Sequence, residues 1–226
     1  MRGLNTTPEH HAAFFRRWIR RAAVAPRILI SGTADYSLLA QIRPVLDRGA
    51  RVTVLDRCAT PLALNRWYAR RQQIRIATKC TDILDYRPRR RFDVICTHSF
   101  LGQFPPRRRA RLIAHWYEML EPGGLVLTIN RLRPGAPPGR LGFSRAQADS
   151  FEALVGERQR AAARQYARRM GAWPIRSEAE LAGLFERAGF EVPFLSAQPL
   201  VLQGKRLSAP TTPGGASYAC IAARRP

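Results

Sequence analysis

Arg27-Ile-Leu-Ile-Ser-Gly-Thr-Ala-Asp-Tyr36 and, further on, Arg51-Val-Thr-Val-Leu-Asp56 are the two stretches that decide the fold. Each contains a short apolar run, which is typical of a buried strand. Gly32 follows the first run, and a residue without a Cβ lets the backbone approach a ligand closely. Asp56 ends the second run, where a carboxylate can accept hydrogen bonds from both hydroxyls of a ribose. The pair predicts a nucleotide-binding edge, although a strand-end aspartate can equally cap the next helix.

The rest of the chain alternates strand and helix patterns in the same way. Apolar runs between turn residues predict strands near residues 27–31, 51–55, 74–78, 93–97, 124–130, 191–202 and 218–222. Apolar residues at helical spacing predict helices over 38–46, 61–71 and 111–120. Because such units form right-handed crossovers, we expect one doubly wound, Rossmann-like α/β domain. A Pro- and Gly-rich loop over 204–215 predicts a hairpin-like last connection, which gives a seven-stranded, mostly parallel sheet with an antiparallel C-terminal strand.

Two segments stand apart from this alternation. Residues 1–24 contain an aromatic, basic helical pattern, which we expect either to cover the site or to pack on the outer surface of the sheet. Residues 134–173 begin with a Pro- and Gly-rich stretch and continue as a long, charged helical stretch over 144–170. We interpret this segment as a helical lid inserted into the main domain, which spans residues 25–223.

The composition is strongly basic. The 226 residues carry a formal net charge of +22, and 36 of the 38 basic residues are arginine. Such a surface attracts phosphates and leaves nucleic-acid binding open. The arginine runs 89–91 and 107–109 belong to no recognisable RNA-binding module, so the sequence favours a small molecule over a nucleic acid as ligand.

Cysteine spacing and hydropathy bear on other classes of protein. The four cysteines stand at long, unequal spacings, which predicts free thiols and no metal site. No run approaches the roughly 20 apolar residues that cross a bilayer, and the N-terminus lacks a secretory pattern. We therefore expect a cytoplasmic protein without membrane contact. No pattern indicates an oligomeric state.

Four further segments follow the two stretches in the order found in class I S-adenosylmethionine-dependent methyltransferases, which the chain resembles over residues 25–223. They are Lys79-Cys-Thr-Asp-Ile-Leu-Asp85, Phe92-Asp-Val-Ile-Cys-Thr-His-Ser-Phe-Leu-Gly-Gln-Phe-Pro105, Met119-Leu-Glu-Pro-Gly-Gly-Leu-Val-Leu-Thr128 and Leu181-Ala-Gly-Leu-Phe-Glu-Arg-Ala-Gly-Phe-Glu191. The resemblance implies S-adenosylmethionine as the cofactor. It also implies methyl transfer to an acceptor, which we expect to be a small molecule.

Three other functions stay open beside this expectation. The basic charge keeps a nucleic-acid methyltransferase as an alternative. A catalytically inactive, methyltransferase-like binding or scaffold protein is another, because a fold does not establish an activity. A nicotinamide-dependent oxidoreductase is disfavoured, since the chain contains no Tyr-x-x-x-Lys motif.

The resemblance places the cofactor against residues at the strand ends. Its implied contacts are Gly32, Ala34, Asp35, Asp56, Arg57, Asp82, Ile83, His98 and Ser99. In the family pattern, Asp82 meets the adenine amino group and Ile83 packs on the adenine ring.

The first motif departs from the family pattern. Ile30 stands in place of the usual acid, and Ala34 and Tyr36 stand in place of the second and third glycines. These substitutions leave less room for the methionine part of the cofactor. Asp35 is expected either to replace the lost acid or to cap the helix that follows it.

The acceptor side is expected beyond the fourth strand. Methyl transfer is an in-line displacement that depends more on positioning than on side-chain chemistry. His98 can serve as a general base, because imidazole titrates near neutral pH, or it can simply be hydrogen-bonded by neighbouring groups. We also expect contacts to the acceptor from Gln103, Tyr166 and Trp173, the last two belonging to the lid.

Overall fold

The computed structural model describes residues 9–46, 49–142, 144–153, 155–169, 171–199, 201–202, 205–206 and 217–226. The strands of its main sheet are β1 (Arg27–Ser31), β2 (Arg51–Asp56), β3 (Ile76–Cys80), β4 (Phe92–His98), β5 (Leu120–Leu132), β6 (Glu191–Pro199) and β7 (Ser217–Arg224). The helices are α1 (Glu9–Ile19), α2 (Ser37–Ile42), α3 (Ala59–Arg71), α4 (Pro106–Met119), α5 (Arg145–Ala153), α6 (Glu157–Arg169) and α7 (Glu178–Glu186).

The seven-stranded sheet has the order β3-β2-β1-β4-β5-β7-β6. Strands β1 to β5 run parallel to their neighbours, and β7 runs antiparallel to both β5 and β6. In that last pairing, Cys220 lies opposite Ile129 on one side and Ser196 on the other. The predicted fold, a doubly wound and mostly parallel sheet closed by an antiparallel C-terminal strand, is confirmed.

Alternate residues of each strand belong to two separate hydrophobic cores, one on each face of the sheet. In β1, Leu29 joins the core under α4 and α7, which includes Trp116 and Phe185. Its neighbours Ile28 and Ile30 join the opposite core. This alternation follows from the period of two along a strand, and burial on both faces explains why the strand reads as a continuous apolar run.

The N-terminal helix α1 packs on the second of these faces. Phe14, Phe15 and Ile19 are buried there, with Phe14 stacked on Phe194 of β6 at a centroid distance of 5.8 Å. The apolar face of α1 therefore belongs to the core on this face of the sheet. His11 belongs to the same buried stripe, because it precedes Phe14 and Phe15 by three and four residues.

The inserted segment differs from the single long stretch expected over 144–170. It forms two helices, α5 and α6, which are separated around Gly156. Glycine disfavours the interior of a helix, and an ion pair between Arg164 Nη2 and Glu152 Oε1 at 2.5 Å holds the two helices together. A short antiparallel pair of Leu141–Gly142 with Gly171–Ala172 closes the base of the insertion.

Pro122, Gly123 and Gly124 form an irregularity within β5. Leu120 lies opposite Phe92 while Leu125 lies opposite Val94, so the residues between them bulge out of the register. Gly123 has a φ of +77°, a conformation that favours glycine. Within the described part of the chain, no helix is long and apolar enough to cross a membrane.

Candidate cofactor and acceptor site

The carboxyl ends of the parallel strands bring the predicted site residues to one edge of the sheet. Gly32 follows β1, Asp56 ends β2, Asp82 follows β3 and His98 ends β4. In open α/β sheets, ligands bind at this edge, at the point where the strand order reverses. Here that point lies between β1 and β4.

Asp56 joins the glycine turn to the helix after β2. Its Oδ2 accepts a hydrogen bond from the Thr33 N–H at 3.1 Å, and its Oδ1 accepts one from the Cys58 N–H at 2.8 Å. The Gly32 N–H donates to the Leu55 carbonyl at 3.0 Å. Each carboxylate oxygen has a second lone pair, so Asp56 can still accept a hydroxyl of a ribose. The helix-capping role and the ligand-facing role are thus compatible.

Phe100 lies directly against Gly32. A Cβ placed on Gly32 would be 2.1 Å from both Cδ2 and Cε2 of the Phe100 ring, so only glycine fits there. The ring is held edge-on to Phe104 at 5.0 Å and stacked near Trp116 at 6.4 Å. Phe100 thereby fills the space beside the glycine turn.

The backbone just before Phe100 has an uncommon conformation. Ser99 has a φ of +52°, in the left-handed region that a residue with a Cβ seldom adopts. Its N–H donates to the Ile129 carbonyl at 2.7 Å, which fixes the turn at the end of β4. Such strained positions are concentrated at functional sites.

Asp35 is engaged at the start of α2. Its Oδ1 accepts a hydrogen bond from the N–H of Ser37, the first residue of α2, at 2.7 Å, while the N-cap of that helix is Tyr36. Its carboxylate also lies close enough to His98 to oppose the lowering of the His98 pKa. Ala34 is exposed, and the ring of Tyr36 stacks on Tyr68 of α3 at 4.8 Å.

Asp82 and Arg57 meet at the end of β3. Asp82 Oδ2 lies 3.9 Å from Arg57 Nε and 3.5 Å from Arg108 Nη2. Asp82 Oδ1 accepts the Leu84 N–H at 3.0 Å. Ile83 is only 2% exposed and packs in the core, so protein atoms cover the side chain expected against the adenine ring.

His98 lies in a cluster of aromatic groups beneath α1. Its Nε2 is 3.5 Å from Nδ1 of His11, and its ring centroid is 5.8 Å from that of Tyr218. Burial lowers the pKa of His98 to about 4. Burial, together with the neighbouring His10 and His98, lowers the pKa of His11 to about 3. Both rings are therefore neutral at pH 7.

His11 was missed as a partner of His98 by the sequence reasoning. It is 1% exposed, and its Nε2 is buried without a hydrogen-bond partner among the described residues. Its place in the stripe of Phe14 and Phe15 was the available signal, since that spacing predicts a buried face. Tertiary packing decides which strand this buried face covers, so the spacing alone does not show that His11 lies beside His98.

The inserted segment 134–173 reaches the turn after β4 through its backbone. The Trp173 N–H donates to the Gly102 carbonyl at 2.8 Å, and the Trp173 carbonyl accepts a hydrogen bond from Arg109 Nη2 at 2.8 Å. Gln103 is exposed in the 3-10 turn Leu101–Gln103 beside it. The side chain of Tyr166, on α6, lies outside the described part of the structure. Trp173 and Gln103 are thus brought together near the end of β4.

Three arginines that the sequence did not mark as site residues also lie here. Arg109, only 1% exposed, donates to the carbonyls of Leu101, Phe104 and Trp173. Arg131 and Arg133 follow at the end of β5. Within the described ranges, the site included, no group of three or more His, Cys, Asp or Glu side chains could hold a metal ion.

Comparison with known proteins finds a family model that matches part of the sequence and solved structures that share the fold. Residues 32–124 match the family model described as a methyltransferase domain. No curated protein sequence matches the chain. The solved N-methyltransferase NodS from Bradyrhizobium japonicum WM9, in complex with S-adenosyl-L-homocysteine, is similar with a TM-score of 0.64 and 16% identity. That comparison covers 99% of this chain and 90% of NodS.

Two further solved structures show the range of proteins with this fold. The first is the Burkholderia thailandensis 1,6-didemethyltoxoflavin-N1-methyltransferase with bound 1,6-didemethyltoxoflavin and S-adenosylhomocysteine. It has a TM-score of 0.62 and 19% identity over 96% of this chain and 76% of that one. The [4+2]-cyclase SpnF has a TM-score of 0.65 and 15% identity over 96% of this chain and 80% of its own. At such identities the similarity shows the fold alone. Proteins that share this fold catalyse different reactions.

Proposed function

Because the chain has the fold of the class I S-adenosylmethionine-dependent methyltransferases and residues 32–124 match the methyltransferase domain, we propose that it transfers a methyl group from S-adenosylmethionine to a small molecule. One observation carries the proposal. The Asp56 carboxylate is hydrogen-bonded to the Thr33 N–H, which follows Gly32, so the two halves of a nucleotide-binding edge form one unit. Solved neighbours that bind S-adenosylhomocysteine support the choice of cofactor.

The residues present fit the two halves of this cofactor unequally. At the adenosyl half, Asp56 and Asp82 lie at neighbouring strand ends, and each keeps acceptor capacity for hydroxyl or amino groups. At the methionine half, the Phe100 ring fills the space beside Gly32. Binding therefore requires the Phe100 side chain to rotate away, a change that is ordinary for a side chain at a binding site.

The bound cofactor would supply an electrophilic methyl group, and the protein's own task is to position the acceptor and take up its proton. In the tautomer with the proton on His98 Nε2, that atom donates to His11 Nδ1 and leaves His98 Nδ1 as the acceptor of a proton. Asp35 stabilises the protonated ring. Because burial lowers the pKa of His98 to about 4, the ring is a weak base in this state, and proton uptake at neutral pH requires an anion beside it that raises this pKa.

The lid supports a small acceptor. Its Trp173 backbone is tied both to Gly102, after β4, and to the buried Arg109. Such a wall beside the turn after β4 would enclose a small molecule more readily than a polymer strand. The covered glycine turn favours a second candidate, a binding protein that keeps the fold and lacks turnover.

Calorimetric titration with S-adenosylmethionine and S-adenosylhomocysteine separates these two candidates. Asp56→Ala should abolish micromolar binding, whereas Asp85→Ala, which removes an exposed carboxylate in the adjacent segment, should leave it within about twofold. Thermal unfolding of both variants controls for loss of fold. Absence of binding at millimolar ligand would overturn the methyltransferase and favour the binding protein.

A further inference from the structure

The acceptor side of the site carries positive charge that the described acids do not balance. Arg131 lies on β5, directly opposite Tyr218 of β7. On the other side of β5, Ile129 pairs with His98, so Arg131 is two residues beyond the position beside the candidate base. Side chains two residues apart on a strand project from the same face, which places Arg131 on the face of His98.

Arg133 lies beside the turn that follows His98. Its Nη1 is 3.9 Å from the position of a Cβ built on Gly102, and its own N–H donates to the Ile175 carbonyl at 2.8 Å. Gly102 also accepts the Trp173 N–H, so Arg133 stands where the lid joins the β4 turn. The two arginines therefore flank the place at which an acceptor would approach His98.

Neither guanidinium forms an ion pair with an acid in the described ranges, and the Nε atoms of both are buried without a hydrogen-bond partner there. The segment 207–216, which precedes β7, contains no acidic residue. Burial and the neighbouring Arg131 and Arg109 lower the pKa of Arg133 to about 10. Three like charges are thus held close together.

Arg131 and Arg133 are half-buried, and a charge that has lost part of its water is stabilised by a partner of opposite charge. Arg109 donates hydrogen bonds to three backbone carbonyls, and the negative charge of Glu180 stabilises its charged form. Among the described residues, no comparable set of acceptors surrounds Arg131 and Arg133. A guanidinium presents a planar fork of donors that matches a carboxylate or a phosphate. An anion between the two would balance the cluster.

We propose that Arg131 and Arg133 bind an anionic group, a carboxylate or a phosphate, of the small-molecule acceptor. This inference deepens the proposed function and rests on it, because the bound molecule is a methyl acceptor only if the protein transfers methyl groups. The anion anchors one end of the molecule so that its nucleophilic atom lies at His98. Its negative charge also stabilises the protonated form of the His98 ring.

Inorganic phosphate and benzoate test this subsite without cofactor, so the result is independent of whether S-adenosylmethionine binds. Calorimetric titrations at low salt compare the unmodified protein with Arg131→Gln, Arg133→Gln and Arg111→Gln. Arg111 is exposed on α4 and gives the same change in net charge. We expect the first two variants to weaken anion binding about tenfold or more and Arg111→Gln to change it less than about twofold.

Three further measurements complete the test. Arg133→Lys should recover part of the phosphate affinity, because it restores the charge without the fork. Thermal unfolding of each variant excludes a general loss of structure. Equal weakening by all three glutamine variants would overturn the proposal in favour of a nonspecific basic surface. A second result would also overturn it. In that result, Arg131→Gln and Arg133→Gln weaken the binding of an RNA oligonucleotide more than Arg111→Gln does, while the binding of phosphate and benzoate stays unchanged.

Discussion

Phe100 covers Gly32 so closely that a Cβ on the glycine would lie 2.1 Å from two atoms of the ring. The contact joins the turn after β1 to the turn after β4, the two strands between which the strand order reverses. It places an aromatic side chain, fixed by Phe104 and Trp116, at the point where a cofactor must approach the backbone.

Phe100→Ala should tighten the binding of S-adenosylhomocysteine, since the protein no longer has to move the ring before the ligand enters. A gain of about fivefold corresponds to roughly 1 kcal/mol of removed reorganisation cost. The same change should lower the free energy of unfolding by about 2 kcal/mol, because the ring is only partly buried. Phe104→Ala is the matched control, and equal gains in affinity from both variants would contradict a specific role for Phe100.

Gly32→Ala should destabilise the fold through both backbone strain and collision with Phe100. Its φ of +68° costs a Cβ-bearing residue about 1 kcal/mol, and the clash adds at least about 2 kcal/mol. Gly135→Ala, at a φ of +73° with nothing within 4 Å, isolates the strain alone. In urea denaturation, Gly32→Ala should cost only about 1 kcal/mol when it is made in the Phe100→Ala background, because the clash is then absent. A double variant as unstable as the sum of its single changes would contradict the contact.

Stability should fall as the pH drops from about 6.5 to about 4. The pKa of His98 is lowered by burial to about 4 and that of His11 to about 3, whereas both titrate near 6.5 in an unfolded chain. The unfolded state therefore takes up protons first, and the stabilisation present above pH 6.5 is lost below it. The contribution of His98 is on the order of 3 kcal/mol. His98→Gln should flatten the dependence of urea midpoints on pH; an unaltered slope would count against the buried neutral pair.

Turnover with any acceptor that carries an oxygen or nitrogen nucleophile should depend on His98. General bases contribute about 10²-fold or more, so His98→Gln should lower kcat by at least that factor with little change in KM. His11→Gln, which removes the ring bonded to Nε2, should have a smaller effect. A loss of less than about threefold in His98→Gln would show that the histidine is structural.

The sequence predicted the sheet well because its strands are short apolar runs with clear breakers. The run before Gly32 and the run before Asp56 each gave a strand, and the loop before Tyr218 predicted the antiparallel closure. The split between α5 and α6 was missed, since the charged pattern continues across Gly156 and one glycine is a weak signal.

From the sequence, only the site residues at the strand ends could be predicted. Strand geometry alone brings Asp56, Asp82 and His98 to one edge. The Phe100 contact depends on the left-handed backbone of Ser99 and on packing against Trp116, neither of which a local pattern encodes. The pairing of His11 with His98 likewise joins residues 87 positions apart.

The central claim is that S-adenosylmethionine or its product binds at the edge formed by Gly32 and Asp56, and a crystal structure with S-adenosylhomocysteine tests it most directly. The account predicts the ribose hydroxyls at Asp56 and the Phe100 ring turned away from Gly32. The ligand elsewhere, or bound with the Phe100 ring still against Gly32, would contradict it.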